Sequence, residues 1–198
     1  AARYEPQIAV CTSPNWQKIH TPNFGQKQAA LLRKAHAMGA KCLKISKALG
    51  LYLTVHDEAS QEQLLKIDTP RLDPLWKTAG QLGMPVFIHT ADPKAFFEPL
   101  TADNERYDEL SVHPEWSFYG PNFPTRQSLL DARNRVFARH RSTQFVAVHF
   151  ANNPEDIESV DRLLDMHENV VVDIAARVPE LGRHNPTVVR RIFTKHQH

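Results

Sequence analysis

The 198-residue sequence has few of the residues that mark several common protein classes. Its two cysteines, Cys11 and Cys42, each lie inside an apolar run, which predicts buried reduced thiols rather than a disulfide framework or a cysteine-rich zinc site. There are seven glycines and neither GxGxxG nor GxxxxGK[ST] occurs, which argues against a doubly wound nucleotide-binding domain. A GxSxG nucleophile motif is also absent. Acid–base chemistry at a metal-activated water is then the most economical enzymatic option.

The sequence also lacks a strong charge imbalance and a long apolar run. Lys and Arg total 24 against 22 Asp and Glu, so no overall field attracts nucleic acid or an anionic membrane. No apolar segment approaches the roughly 20 residues of a membrane helix, and residues 1–4 show no signal-peptide pattern. We therefore expect a cytoplasmic globular protein. Its expected partner is a small-molecule substrate, with a carboxylate as one candidate, and a homo-oligomer is left open.

Five short apolar runs bounded by turn residues predict buried strands. These runs are residues 7–12, 41–46, 85–90, 144–150 and 170–175. Helix patterns follow them over residues 24–38, 71–82, 128–140, from Asn153 onward and over 186–195. Strict alternation of strand and helix predicts an α/β fold, in which one domain over residues 1–198 has a parallel sheet covered by helices.

Polar residues gather where the predicted strands end. Lys44, Lys47, His89, His149 and Asp173 all lie at or just after the carboxyl end of a strand. Barrel enzymes collect their catalytic residues from the ends of several strands in this way. The pattern favours a (β/α) barrel over a doubly wound sheet.

Two successive strands end in the same pattern, two apolar residues followed by His89 or His149. A single histidine at a strand end is usually a hydrogen-bonded core residue, but two on adjacent strands place both imidazoles on one rim. Imidazole is a ligand for zinc and other transition metals, and a carboxylate can orient its second nitrogen. Asp92 or Asp173 could supply that carboxylate, and Asp173 could instead act as ligand, acid–base group or loop cap.

Lys44 and Lys47 have two interpretations. Either lysine could bind an anionic substrate group, or bridge two metals if carboxylated, and either could simply reach solvent. Two long segments, residues 50–70 and 100–124, are predicted to be irregular. The second contains Trp116 and Tyr119, which would contact substrate if this segment covers the barrel mouth. The alternative is a peripheral cover that buries its own aromatic residues.

Five segments resemble the amidohydrolase-related (amidohydrolase 2) branch of the amidohydrolase superfamily, in family order: GAKCLKISKALGL, GMPVFIHTADP, HPEWSFYGP, FVAVHFANNPEDI and NVVVDIAAR. The resemblance implies a TIM-barrel fold of eight strands, of which this chain has the third to the seventh. It implies that His89 is a metal ligand and that His149 is a second ligand or the base that activates water. Members of this family use a divalent ion, with zinc expected and manganese, magnesium or iron as alternatives. They hydrolyse C–N or C–O bonds, or decarboxylate aromatic or unsaturated acids without oxidation.

The sequence departs from the family pattern at two places. The first-strand His-x-His pair and the eighth-strand Asp are absent, so about five strands with outer helices, a partial barrel, are expected. The terminal His196-Gln197-His198 lies at a helix end, and we interpret it as a chance match. Three hypotheses follow. The first is a metal-dependent hydrolase or lyase, in which catalysis by this chain alone stays uncertain. The second is a non-catalytic truncated barrel that binds a ligand or partner chain, and the third is a metal-free barrel that binds an acidic metabolite.

Overall fold

The computed structural model describes residues 8–57 and 59–197. Its strands are β1 (Cys11–Thr12), β2 (Cys42–Ile45), β3 (Thr54–His56), β4 (Glu62–Leu64), β5 (Val86–Ile88), β6 (Phe145–Ala147) and β7 (Val170–Val172). Five of them form a parallel sheet in the order β1-β2-β5-β6-β7. The predicted α/β fold with five parallel strands is confirmed. The first predicted strand began at residue 7, which lies outside the described residues.

Helices cover this sheet and alternate with its strands. They are α1 (Phe24–Ala37), α2 (Asp73–Gln81), α3 (Tyr107–Val112), α4 (Arg126–Arg139), α5 (Ile157–Met166), α6 (Val178–Leu181) and α7 (Pro186–Lys195). Single-turn segments occupy Ala48–Leu51 and Val148–Ala151, and 3-10 turns occupy Trp16–Lys18, Pro70–Leu72, Lys94–Phe97 and Pro114–Trp116. Among the described helices, none is long and apolar enough to cross a bilayer.

The central strands are apolar on both faces because both faces are covered. Phe145, Val146 and Ala147 of β6 are all buried. At the amino end of β6, the rings of Trp76 and Phe137 contact the Phe145 ring. Their centroids lie 6.3 and 4.9 Å, respectively, from the Phe145 centroid. Burying a side chain of this size contributes about 1.5–3 kcal/mol relative to exposure. This core fixes the strand ends on which the polar residues lie.

Helix α5 begins later in the sequence than the predicted start at Asn153. The side chain of Asp156 accepts a hydrogen bond from the Ser159 backbone N–H at 3.0 Å, so Asp156 is the N-cap and the helix begins at Ile157. Asn153 instead donates its side-chain amide to the Ser159 hydroxyl. The prediction was wrong because two candidate caps lie three residues apart, and the sequence pattern did not separate them.

Two further expectations are corrected. Neither segment predicted to be irregular is wholly so. In residues 50–70, β3 and β4 pair antiparallel, with Thr54 opposite Leu64, and residues 100–124 contain α3. The predicted strand 144–150 ends at Ala147, because the backbone turns to positive φ at His149.

The prediction of two reduced thiols is wrong, because Cys11 and Cys42 form a disulfide. The two residues are direct partners in the parallel β1–β2 pair, with their Cα atoms 4.4 Å apart. Neighbouring residues in register direct their side chains to the same face of a sheet, which brings the two sulfur atoms together. The bond fastens the edge strand β1 to β2.

Candidate metal centre and active-site cleft

His89 and His149 lie side by side at the carboxyl edge of the sheet. His89 follows β5 directly, and its N–H donates to the Ile45 carbonyl at 3.0 Å. The last residue of β5, Ile88, pairs with the last residue of β6, Ala147. His89 is the first residue after Ile88 and His149 the second after Ala147, and their imidazole centroids lie 4.6 Å apart with an interplanar angle of 79°. The structure therefore brings the two predicted histidines together.

A left-handed turn carries His149 beyond the end of β6. His149, Phe150, Ala151 and Asn152 have φ values of 57°, 54°, 54° and 51°. Each such residue with a Cβ costs roughly 1–2 kcal/mol relative to the right-handed conformation. Four in succession mean that surrounding contacts hold the turn. Strain of this kind is concentrated at functional sites, and here it begins at the histidine itself.

Asp173 supplies two of those contacts from the segment after β7. Its Oδ1 accepts the His149 backbone N–H at 2.7 Å and the Ala175 backbone N–H at 3.1 Å. Its main-chain carbonyl accepts the Phe150 N–H at 2.7 Å. Asp173 thus lies beside His149, and its carboxylate binds the backbone of the turn.

The two imidazoles have complementary surroundings. His149 Nδ1 lies 2.8 Å from the Ala175 carbonyl, so Nδ1 carries the proton and Nε2 keeps its lone pair. Burial lowers the pKa of His149, against the raising effect of that hydrogen bond, and the neighbouring His89 and Arg177 lower it further. Among the described residues, His89 Nε2 is buried and finds no hydrogen-bond partner, with Asp92 Oδ1 3.4 Å away. Each ring therefore offers a nitrogen to a ligand.

Asp92 and Lys47 form an ion pair beside His89. Burial alone would raise the pKa of Asp92, but its interactions with His89 and Lys47 outweigh burial and lower it. The Lys47 ammonium group also lies 5.1 Å from the centre of the Phe118 ring. Lys47 does not simply extend into solvent, because a carboxylate and an aromatic ring fix its position.

Lys44 lies within β2, opposite Phe87 of β5. Burial lowers the pKa of Lys44, and the negative charge of Asp173 opposes that effect. Lys44 and Asp173 thus interact electrostatically at the same edge of the sheet as the histidines.

A cleft of about 300 Å³ opens next to the Lys47–Asp92 pair. Its walls include Phe96 and Trp116, together with Arg106 and Arg177. Three cations and two carboxylates line it in all, the second carboxylate being that of Glu109. Trp116 therefore reaches the predicted site. Tyr119 does not, since it lines a separate cleft beside Phe97, Phe123 and Arg126.

Sequence reasoning missed the arginines of this cleft. Arg106 Nη2 lies 2.7 Å from Glu180 Oε1, and Arg177 Nη1 lies 3.7 Å from the same oxygen. Glu180 is 4% exposed, and its other oxygen and the Arg177 Nε are buried without a hydrogen-bond partner among the described residues. No sequence pattern could pair Arg106 with a residue 74 positions away. Through this ion pair, the segment before α3 is anchored to α6.

A larger cavity of about 400 Å³ lies elsewhere, between Gly50, Ile67, Leu129 and Ala132. No predicted site residue is among its lining residues. His89 and His149 do not line the smaller cleft either, but Asp92 of that cleft lies 3.4 Å from His89 Nε2, which places the smaller cleft beside the histidine pair.

The pair His89 and His149 fits two positions of a metal site. His89 Nε2 is buried without a hydrogen bond to a described residue, with Asp92 Oδ1 3.4 Å away. The His149 ring is oriented by a backbone carbonyl, as metal-binding histidines usually are. Within residues 8–57 and 59–197, no third ligand atom joins them at metal-binding separation. The described residues that do cluster in that way are Asp161, Asp165 and His196, but Lys195 binds both of those carboxylates.

Comparisons with known proteins identify the family. The sequence profile of the Amidohydrolase family matches residues 21–194. The match spans most of the chain, so the protein belongs to the amidohydrolase family, and the resemblance found in the sequence is confirmed. Among curated proteins, none matches the chain.

Solved structures share the fold. A 2,6-dihydroxybenzoate decarboxylase complexed with 2,6-dihydroxybenzoate aligns with a TM-score of 0.54 at 14% identity, over 98% of this chain and 58% of that one. The 2,6-dihydroxybenzoate decarboxylase from Rhizobium aligns with a TM-score of 0.55 at 15% identity, over the same shares. A dihydroxybenzoic acid decarboxylase from a Polaromonas species, with bound manganese and 2-nitroresorcinol, aligns with a TM-score of 0.44 at 15% identity, over 86% and 59%. The chain thus spans under two thirds of the length of these proteins.

Proposed function

We propose that this protein is a metal-dependent hydrolase of the amidohydrolase superfamily, in which His89 and His149 supply two ligands of one divalent ion. The observation that carries the proposal is the pair of adjacent imidazoles. Among the described residues, the buried Nε2 of His89 makes no hydrogen bond and has Asp92 Oδ1 3.4 Å away, and the His149 ring is oriented by the Ala175 carbonyl. Catalytic zinc sites use three protein ligands and leave one position open. The proposal therefore requires a further ligand from outside the described residues.

When bound, such an ion would lower the pKa of a water molecule and supply the nucleophile for a C–N or C–O bond. The residues of this chain have roles around that centre. His149 has an alternative role: instead of binding the ion, it acts as the base that accepts the proton of the water. Lys44 and Asp173 assist catalysis at the rim, and Lys47, Asp92 and Trp116 contact substrate. Tyr119 is retained as a substrate contact only for a substrate that reaches the neighbouring cleft.

The cleft favours a small acid as substrate. Lys47, Arg106 and Arg177 bring three cations to its wall, where they pair with Asp92, Glu109 and Glu180, and Trp116 and Phe96 supply apolar surface. Guanidinium groups bind carboxylates with two parallel hydrogen bonds, so an aromatic or unsaturated carboxylate suits this lining.

The same lining supports a second candidate, the non-oxidative decarboxylation of such an acid. Two proteins of similar fold, named above, are decarboxylases of a dihydroxybenzoate. Turnover assays separate the candidates, because decarboxylation releases CO₂ and hydrolysis does not. A panel of hydroxybenzoates and N-acyl or lactone substrates should be tested with zinc, manganese, magnesium and iron. Activity that is unaffected by metal removal or by His89→Ala would refute both candidates.

Two predictions from the sequence stay proposals. A non-catalytic barrel would bind an acid in this cleft without turnover, and calorimetry with hydroxybenzoates would detect this binding.

A cytoplasmic location is also retained, although the Cys11–Cys42 disulfide counts against it, since disulfides persist mainly in oxidising compartments. Thiol trapping of the protein from its native cells would decide the second point.

A further inference from the structure

The left-handed turn His149–Asn152 (defined by its four positive φ values) is held by two arginines of α4. Arg133 Nη1 donates to the Ala151 carbonyl at 2.5 Å. Arg126 Nη2 donates to the Asn152 carbonyl at 2.6 Å. The two arginines are seven residues apart, so they lie on one face of the helix, two turns apart.

Arg133 is buried at an energetic disadvantage. It is 2% exposed, and among the described residues it forms no ion pair with a carboxylate. Burial lowers the pKa of its guanidinium to about 9, and the nearby charge of Arg126 also lowers it. Its other hydrogen bonds go to the neutral side chain of Asn134. The negative charge of Asp131 opposes these effects without forming an ion pair, so the burial of this cation has to be explained by what it binds.

The turn is fixed from its other sides as well. Asn152 Oδ1 accepts the Thr90 backbone N–H at 2.9 Å, which connects the turn to the segment that carries His89. Asp173 binds the two N–H groups at its start. The arginines supply further contacts, at the carbonyls of its last two residues. The turn therefore keeps a conformation that its side chains disfavour.

We propose that Arg133, together with Arg126, is a positioning residue that fixes the left-handed turn and thereby the orientation of the His149 ring toward His89. The importance of that orientation for chemistry rests on the proposed function. The positioning itself concerns only this chain. A guanidinium is suited to the task because its rigid fork holds Ala151 and Asn134 together, which a lysine cannot do.

The test is hydrogen exchange at single backbone amides in Arg133→Met, with Arg135→Met as the matched control. Arg135 is on the same helix and pairs with Asp68 at the surface, away from the turn. We expect exchange of the His149 and Phe150 amides to accelerate about 10- to 100-fold in Arg133→Met, which is the loss of one charged hydrogen bond. The Leu43 amide in the sheet should change much less. Equal acceleration at Leu43 and in the turn would show a purely structural role and overturn the proposal.

Two more variants keep the test decisive if Arg133→Met does not fold. Arg133→Lys retains the charge and should show a smaller acceleration confined to the turn. Adding Ala151→Gly should reverse part of the effect of either substitution, because glycine adopts positive φ without a steric cost. Exchange in Arg133→Lys identical to that in Arg135→Met, or no rescue by glycine, would contradict the proposal.

Zinc binding separates this inference from the proposed function. If the turn amides respond as expected and the wild-type protein binds zinc, Arg133→Lys should weaken zinc binding by about 10-fold or more. If the amides respond but the wild type binds no divalent ion, the proposed function fails and the positioning role stands.

Discussion

Replacing Asp173 by alanine tests how the His149 turn is held. The substitution removes the acceptor for the backbone N–H groups of His149 and Ala175, at 2.7 and 3.1 Å. A hydrogen bond to a charged group contributes about 1.5–3 kcal/mol. The Ala175 N–H is at the exposed side of Asp173, so water replaces that bond at little cost. The partly buried His149 N–H dominates, and we expect a loss of about 2 kcal/mol in the free energy of unfolding.

Urea unfolding followed by tryptophan fluorescence measures this change. With a slope of about 2 kcal/mol per molar urea, the midpoint should fall by about 1 M. Asp173→Asn is the matched control, since its amide oxygen still accepts both hydrogen bonds without the charge, and it should lose about 1 kcal/mol. A change below about 0.5 kcal/mol in Asp173→Ala would refute this assignment, because surface substitutions remote from such features have effects of that size.

Three further predictions concern stability. Ala176 is exposed with a φ of 56°, so Ala176→Gly should raise the free energy of unfolding by about 0.5–1 kcal/mol in urea titrations. A Cβ on Gly80 would lie 2.8 Å from the Ser142 carbonyl oxygen, so Gly80→Ala should lower the thermal midpoint and cost about 1–2 kcal/mol. Asp161 is buried, which would raise its pKa, but hydrogen bonds from Lys195 and others lower the pKa below its usual range. Its stabilising contribution is therefore complete above the unfolded-state pKa of about 3.9 and is lost as pH falls further.

Each of these has a contrary outcome. Lower stability in Ala176→Gly would mean that the residue is not held at positive φ. Unchanged stability in Gly80→Ala would mean that α2 lies farther from the Ser142 carbonyl than this structure places it. For Asp161, the stability difference between wild type and Asp161→Asn should narrow between about pH 5 and about pH 2. A difference independent of pH would contradict the ion-pair network of α5 and α7.

The strands that carry the site could be predicted because their sequences are strongly apolar. The segments that became β5 and β6 are apolar on both faces, and each is followed by a histidine. Parallel pairing of β5 and β6 predicts that both histidines lie at the same edge of the sheet, but the register pairs His89 with Val148, and the left-handed turn completes the approach of His149. The same pairing joined Cys11 to Cys42, but the register of β1 against β2 was not fixed by the sequence, so the disulfide was missed.

Other parts of the site depend on contacts that no local pattern encodes. The left-handed turn after Ala147 has no glycine, so nothing in HFAN predicted positive φ. Tertiary hydrogen bonds impose this conformation: Arg126 and Arg133 donate to carbonyls of the turn, and Asp173 accepts from its first N–H groups. The ion pair of Arg106 with Glu180 joins residues far apart in sequence, and it places an arginine in the cleft that the sequence did not mark.

Divalent-ion binding is the most direct test of the two-histidine centre. Isothermal calorimetry with zinc, and the absorption spectrum of the cobalt-loaded protein, should be compared for wild type, His89→Ala, His149→Ala and the control His113→Ala. His113 is near the surface, where it stacks on Trp116. We predict one bound ion in wild type and in His113→Ala, and an affinity at least about 10-fold weaker in each of the other two variants. Equal affinity in all four proteins, or no binding by wild type, would contradict the assignment of His89 and His149 as metal ligands.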